Sequence, residues 1–180
     1  METGKRLQIK NKFTNEVIFS GKAKSMGALM EWAVSLEVDL SGSVLIGVNL
    51  AKARLSGARL ALADLTKANL AGADLSGAYL AGAKLTSADL YGANLRKINL
   101  SGADLSDCNL GSANLAWAHL AMADLSEANL FGANLTGANF FEAILNNVNL
   151  IGARLEGASL MGTRLAGANM EWVTGMESDT

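Results

Sequence analysis

Leucine returns every fifth residue along most of this chain. The 27 positions from 40 to 170 at steps of five hold 25 Leu, with Phe140 and Met170 the only replacements, and the register never slips. Two residues before each of these, the matching 27 positions hold 20 Ala, the rest being Val38, Ser43, Val48, Ile98, Cys108, Val148 and Thr163. Between the two stands a polar residue, most often Asn or Asp, and after the Leu come Ser, Thr or Ala and then very often Gly. A period of five fits neither the strand period of two nor the helical 3.6. It predicts an extended backbone that turns once per pentad. Ala and Leu, two apart, point to one side and the residue between them points out, while the small residues, Gly above all, make the corner. Coils built this way stack Leu on Leu and Ala on Ala, as solenoids do. Asn pairs at the outward position number six at a spacing of 20 against four at 15 and three at 10, which favours four pentads per coil.

The two ends depart from the repeat. Leu7, Ile9 and Phe13 alternate with polar residues, Thr14-Asn15-Glu16 reads as a turn, and Val17 and Phe19 resume the alternation, so a β-hairpin is predicted. A helix should follow from an N-cap at Ser25, with Met26, Leu29, Met30, Ala33 and Leu36 on one face. Residues 1–37 are expected to cap the first coil or to form a separate binding module, and the outward Val44 and Ile46 suggest an apolar cover. Residues 38–170 form the repeat, and 171–180 are a short tail. That tail either folds over the last coil or leaves it to be buried against a second copy, with Leu165, Met170, Trp172, Val173 and Met176 at the contact.

Units such as ADLSG at 73–77, ANLTG at 133–137 and ARLEG at 153–157 resemble the pentapeptide-repeat proteins, and the resemblance covers residues 38–170. It implies an all-β fold, a right-handed four-sided parallel β-helix of about 20 residues per coil and nearly seven coils. It also implies two kinds of behaviour known in that family: dimerisation through the C-terminal end, and protection of DNA gyrase from quinolones or peptide toxins by imitating duplex DNA. The register carries no insertion where quinolone-resistance members often have loops.

Composition narrows the function. Among 180 residues half are apolar but only 6% aromatic, and 15 basic side chains against 17 acidic give a net charge of −2, without the basic footprint of a nucleic-acid binder. No apolar run approaches the roughly 18 residues that span a bilayer, and the start has no apolar segment of a secretory signal. A cytoplasmic location away from membranes is expected. One His and one Cys cannot build a nitrogen or sulfur metal site. His119 stands at an outward position and Cys108 in an inward Ala slot, so no cofactor and no catalytic residue is expected.

Two surface features remain. Asp64, Asp104, Asp107, Asp124 and Glu127 fall on the side that contains Leu65, Leu85, Leu105 and Leu125, with Lys67 and Lys84 near its beginning. They make a modest acidic face, although the repeat as a whole carries ten acids and nine bases. Tyr91, Trp117, Met122, Phe131, Phe141, Ile151 and Met161 stand where the repeat has small or polar residues. They either shield sheet edges or form a partner surface. The reading is a non-enzymatic interaction rod with a protein partner, and its alternative is a gyrase-protecting DNA mimic.

Overall fold

The computed structural model describes residues 4–175. Strand β1 (Lys5–Lys10) pairs antiparallel with β2 (Val17–Ala23), from Lys5 opposite Ala23 to Ile9 opposite Phe19, with an irregularity after Ile9. Helix α1 (Met26–Ser35) follows, and its N-cap Ser25 accepts a hydrogen bond from the Ala28 N–H through its hydroxyl at 3.1 Å. Leu29, Met30 and Ala33 are the buried face of α1 and join Ile9 and the first leucines of the repeat in one core. The Trp32 ring meets Phe19 edge-on at 5.2 Å and lies against Gly21, where a Cβ has no room. Leu36, expected on the buried face, is instead the exposed C-cap. Phe13 is exposed too, because β1 ends at Lys10 and Asn11 turns the chain, its Oδ1 accepting from the Phe13 and Thr14 N–H groups.

From Asp39 onward the chain lies beside itself every twenty residues, in parallel bridges from Asp39–Arg59 to Arg154–Thr174. Each bridge is a single residue pair, so the repeat contains no strand of ordinary length; a corner every five residues leaves no room for one. The unit around Leu105 shows what the backbone gains. Its N–H donates to the Asp124 C=O at 2.7 Å, the Asp107 N–H to Ser126 at 3.0 Å, and the Asn109 N–H back to Ala88 at 3.0 Å, while the Cys108 N–H closes the corner onto the Leu105 C=O at 3.2 Å. The fifth N–H, that of Ser106, points away from the neighbouring coils and is taken by the side chain of Asp104 at 3.1 Å. All five donors of the pentad are satisfied, as a buried backbone requires.

The corner imposes a left-handed residue. Every one of the 27 positions from 42 to 172 at steps of five has φ between 54° and 74°, fourteen of them Gly and thirteen not. This is the third residue of a four-residue turn, where type II geometry needs positive φ. Inward Leu and Ala side chains are sealed along the repeat from Leu40 to Leu155. The two ends then differ. The cap meets the first coil by backbone pairing, Lys12 N–H to Gly42 C=O at 2.7 Å and Val44 N–H to Lys10 C=O at 2.9 Å, and the coil's leucines are fully buried. At the other end Leu160, Leu165, Met170 and Val173 are only partly buried. Val44 and Ile46, expected under an apolar cover, are exposed, because the cap closes the mouth of the coil and not its side. No helix among the described residues is long and apolar enough to cross a membrane.

Candidate functional site

The twenty-residue return sorts corner residues into four rows that run along the axis, and the sequence has filled each row differently. After Leu60, Leu120, Phe140 and Leu160 come Leu62, Met122, Phe141 and Met161. After those at 90, 130, 150 and Met170 come Tyr91, Phe131, Ile151 and Trp172. These are two apolar rows. The acidic row holds Asp107 and Glu127, after Leu105 and Leu125, and the fourth row holds Arg96, Lys97 and Trp117.

The residues of the apolar rows are exposed to different degrees. Tyr91 and Phe131 keep about half of their surface, 54% and 52%, and Met122 and Met161 more, whereas Phe141 and Ile151 are half-buried. Each of those two is flanked in its row by another bulky apolar residue, Met161 beside Phe141 and Phe131 beside Ile151. Tyr91 leans over Gly111, where a Cβ would stand 3.2 Å from its ring, so the ridge continues through the glycine. Trp172 closes that row and is 79% exposed. Leu62 and Tyr79 are exposed large residues that the reading of outward replacements does not include; the departure from Gly at 62 and from Asn or Asp at 79 is the signal that marks them. Of the residues expected at the C-terminal contact, Leu165, Met170 and Val173 are partly buried, and Met176 lies outside the described residues.

The acidic residues lie along one side and its corner. Asp64, Lys84, Asp104 and Asp124 are successive partners on one side. Partial burial pushes the Asp104 carboxyl up, but hydrogen bonds from the Ser106 and Thr86 hydroxyls and the Ser106 N–H, with help from Lys84, outweigh it and hold the group below its usual range. Asp104 and Asp124 are adjacent like charges. Among the described residues the ion pairs are Arg54–Glu31 and Arg154–Glu156, both at 3.7 Å, and neither involves the acidic face.

Cys108 is buried inside the coil, and its thiol donates to the Leu85 C=O at 2.9 Å. Burial pushes its pKa up to about 12, which leaves no thiolate for nucleophilic work. His119 is exposed, beside Trp117 and Asn139 in a shallow groove that Arg96 and Lys97 border.

A family model described as pentapeptide repeats matches eight copies over residues 36–61, 63–102, 108–147 and 143–174. Among solved structures, the chain is 44% identical to the pentapeptide repeat protein Rfr23 from the cyanobacterium Cyanothece 51142, over 48% of this chain and 58% of that one, with a TM-score of 0.48. It is 28% identical to HetL, a pentapeptide repeat protein involved in heterocyst differentiation regulation in Nostoc sp. PCC 7120, over 76% and 84% of the two chains, with a TM-score of 0.34. Full-length QnrB1, a plasmid-mediated fluoroquinolone resistance protein, is 20% identical over 73% and 76%, with a TM-score of 0.54. Among curated proteins no match is found.

Proposed function

Because the chain belongs to the pentapeptide repeat family, we propose that it is a non-enzymatic interaction protein: a right-handed, four-sided β-helical rod of nearly seven coils, capped by residues 1–37, that presents its corners to a protein partner in the cytoplasm. The observation that carries this is the ridge of Tyr91, Phe131 and Ile151. Bulky apolar side chains are lined up on the outside of a rod whose inside is already filled, and contiguous exposed apolar area on a soluble protein marks a contact surface. The test is capture on the immobilised protein beside a Phe131→Ser, Ile151→Ser variant of unchanged melting temperature. A discrete set of proteins retained only by the unaltered chain is expected; identical capture by both would refute the ridge.

The same rod is expected to pair end to end. Leu160, Leu165, Met170 and Val173 leave apolar surface at the C-terminal coil, and a two-fold contact there is self-complementary and closes. Trp172→Glu then converts a dimer to a monomer in light scattering, and a monomeric mass near 18.7 kDa for the unaltered protein at micromolar concentration would exclude this pairing.

One observation favours a second reading, that of a duplex mimic that protects DNA gyrase. Asp104 and Asp124 are kept as adjacent like charges, with Asp107 and Glu127 on the neighbouring corner and no counter-ion bound to any of them among the described residues. A gyrase supercoiling assay with a fluoroquinolone decides it: protection lost on reversing these four acids to Lys supports mimicry, and no protection by the unaltered protein ends it.

A further inference from the structure

The groove at Trp117 breaks the local rules of the repeat four times within two coils. Trp117 occupies a left-handed corner position (φ 61°), where bulky side chains are rare. Its ring lies on Gly137, where a Cβ would stand only 2.5 Å from the indole, so residue 137 can only be Gly while the ring stays there. His119 stands where Asn99 and Asn139 close their turns onto the N–H groups of Ser101 and Phe141, both at 3.0 Å. Arg96 and Lys97 fill the two corner positions that the repeat gives to Ser and Gly, and Lys97 is again left-handed (φ 56°). All four side chains border one exposed groove with Ala118, Gly137 and Asn139 and no acid among its lining. Departures from local consistency that bring no gain in stability concentrate at functional sites.

We propose that this groove binds an acidic peptide segment of a protein partner, with Arg96 and Lys97 holding a carboxylate and the exposed Trp117 face taking an adjacent apolar side chain. Charge complementarity fixes the occupant's sign. The acidic row of Asp107 and Glu127 lies two corners away round the coil, on the opposite edge, so the groove is the positive side of a rod whose net charge is only −2. The two cations of the groove sit at one coil level, with Asp74 on the coil before it and Glu156 three coil steps beyond, where it pairs with Arg154. That patch is too short to track a nucleic-acid backbone, which needs several cations along a groove. Guanidinium pairs well with carboxylate in a bidentate fork, and an indole face supplies apolar contact area. The inference deepens the reading of the chain as an interaction rod, at a corner separate from the Tyr91–Phe131 ridge.

The experiment makes Trp117 the sole indole, in a Trp32→Phe, Trp172→Phe background, and follows its fluorescence while titrating an acetylated dodecapeptide of repeating Glu-Leu-Glu. Saturable binding is expected, weakened at least tenfold by Arg96→Glu with Lys97→Glu and left within twofold by Phe131→Ser. An equal response to the Lys-Leu-Lys analogue, or affinity retained by the Arg96→Glu, Lys97→Glu protein, overturns the proposal. Tighter binding of deca-thymidylate than of the acidic peptide overturns it in favour of nucleic acid. Failure of the ridge variant to lose captured proteins would count against the ridge alone, since this titration does not involve it.

Discussion

Ser43 fills a slot that the repeat gives to Ala; it is fully buried, and its hydroxyl has no hydrogen-bond partner. Thr163, in an equivalent slot, donates to the Leu160 C=O at 2.7 Å, and the Cys108 thiol to the Leu85 C=O at 2.9 Å. An orphaned buried hydroxyl costs its desolvation, on the order of 1–3 kcal/mol. Ser43→Ala should therefore raise unfolding free energy by about 1 kcal/mol in a urea titration, while Thr163→Ala brings no gain. Cys108 gives a pH dependence. Its folded pKa, raised by burial from 9.0 to about 12, favours the thiol, so this contribution is intact below pH 9 and lost as pH rises from 9 towards 12, where only the unfolded chain releases the proton. Stability of the unaltered protein should fall more steeply over that range than that of Cys108→Ala, and matching slopes would show that the thiol does not titrate on unfolding.

Within the pentad, the outward Asn or Asp does more than form a ladder. Asn129 Oδ1 accepts from the Phe131 N–H at 3.1 Å and from Asn149 Nδ2 at 3.1 Å, while its own Nδ2 reaches Asn109 Oδ1 at 3.3 Å. Asn129→Ala removes all three and should cost about 1–3 kcal/mol by thermal unfolding; Asn129→Asp keeps the acceptor and should cost less than half of that. The stacking of Asn on Asn is legible in the sequence from the Asn pairs at steps of twenty, and Asp89 joins the ladder by accepting from Asn109 Nδ2 at 2.9 Å. The closing of each corner by the same side chain is not legible there, because a polar residue at an outward position is equally consistent with plain solvation, and only the backbone geometry shows that one N–H per pentad has no partner in a neighbouring coil. For the same reason the apolar cover expected for Val44 and Ile46 failed: sequence marks a residue as apolar and outward without saying where the cap meets the coil.

Across the whole molecule, near-neutral charge conceals separation by edge. Asp104 and Asp124, adjacent across one coil step with Asp107 and Glu127 beside them, repel one another, and like charges directly opposite in a sheet are destabilising by roughly 0.2–1 kcal/mol. Asp124→Asn retains an Oδ1 to accept from the Ser126 N–H, now 2.9 Å away, and should raise the melting temperature. The gain should shrink with added salt, since exposed charges are screened. A loss of stability would mean that the carboxylate's bond from the Ser126 hydroxyl, 2.6 Å long, outweighs the repulsion. The ends are equally unlike: the first coil is sealed by Ile9, Leu29, Met30 and Ala33, and the last is left partly open.

The sequence by itself determined which side chains face in, where the corners fall, the family, and the hairpin and helix at the start, because those follow from a local period and local caps. The acidic face and most of the apolar residues could also be placed, since a strict register converts residue number directly into position on the rod. Tertiary structure alone decided what depends on neighbouring coils. It left Phe141 and Ile151 half-buried while Met161 and Phe131 beside them are exposed, seated Trp117 on Gly137, and gathered Arg96, Lys97 and His119 at its edges. A side chain's exposure in a solenoid is set by the residues twenty positions before and after it, and its direction by a corner backbone that several residue types can share.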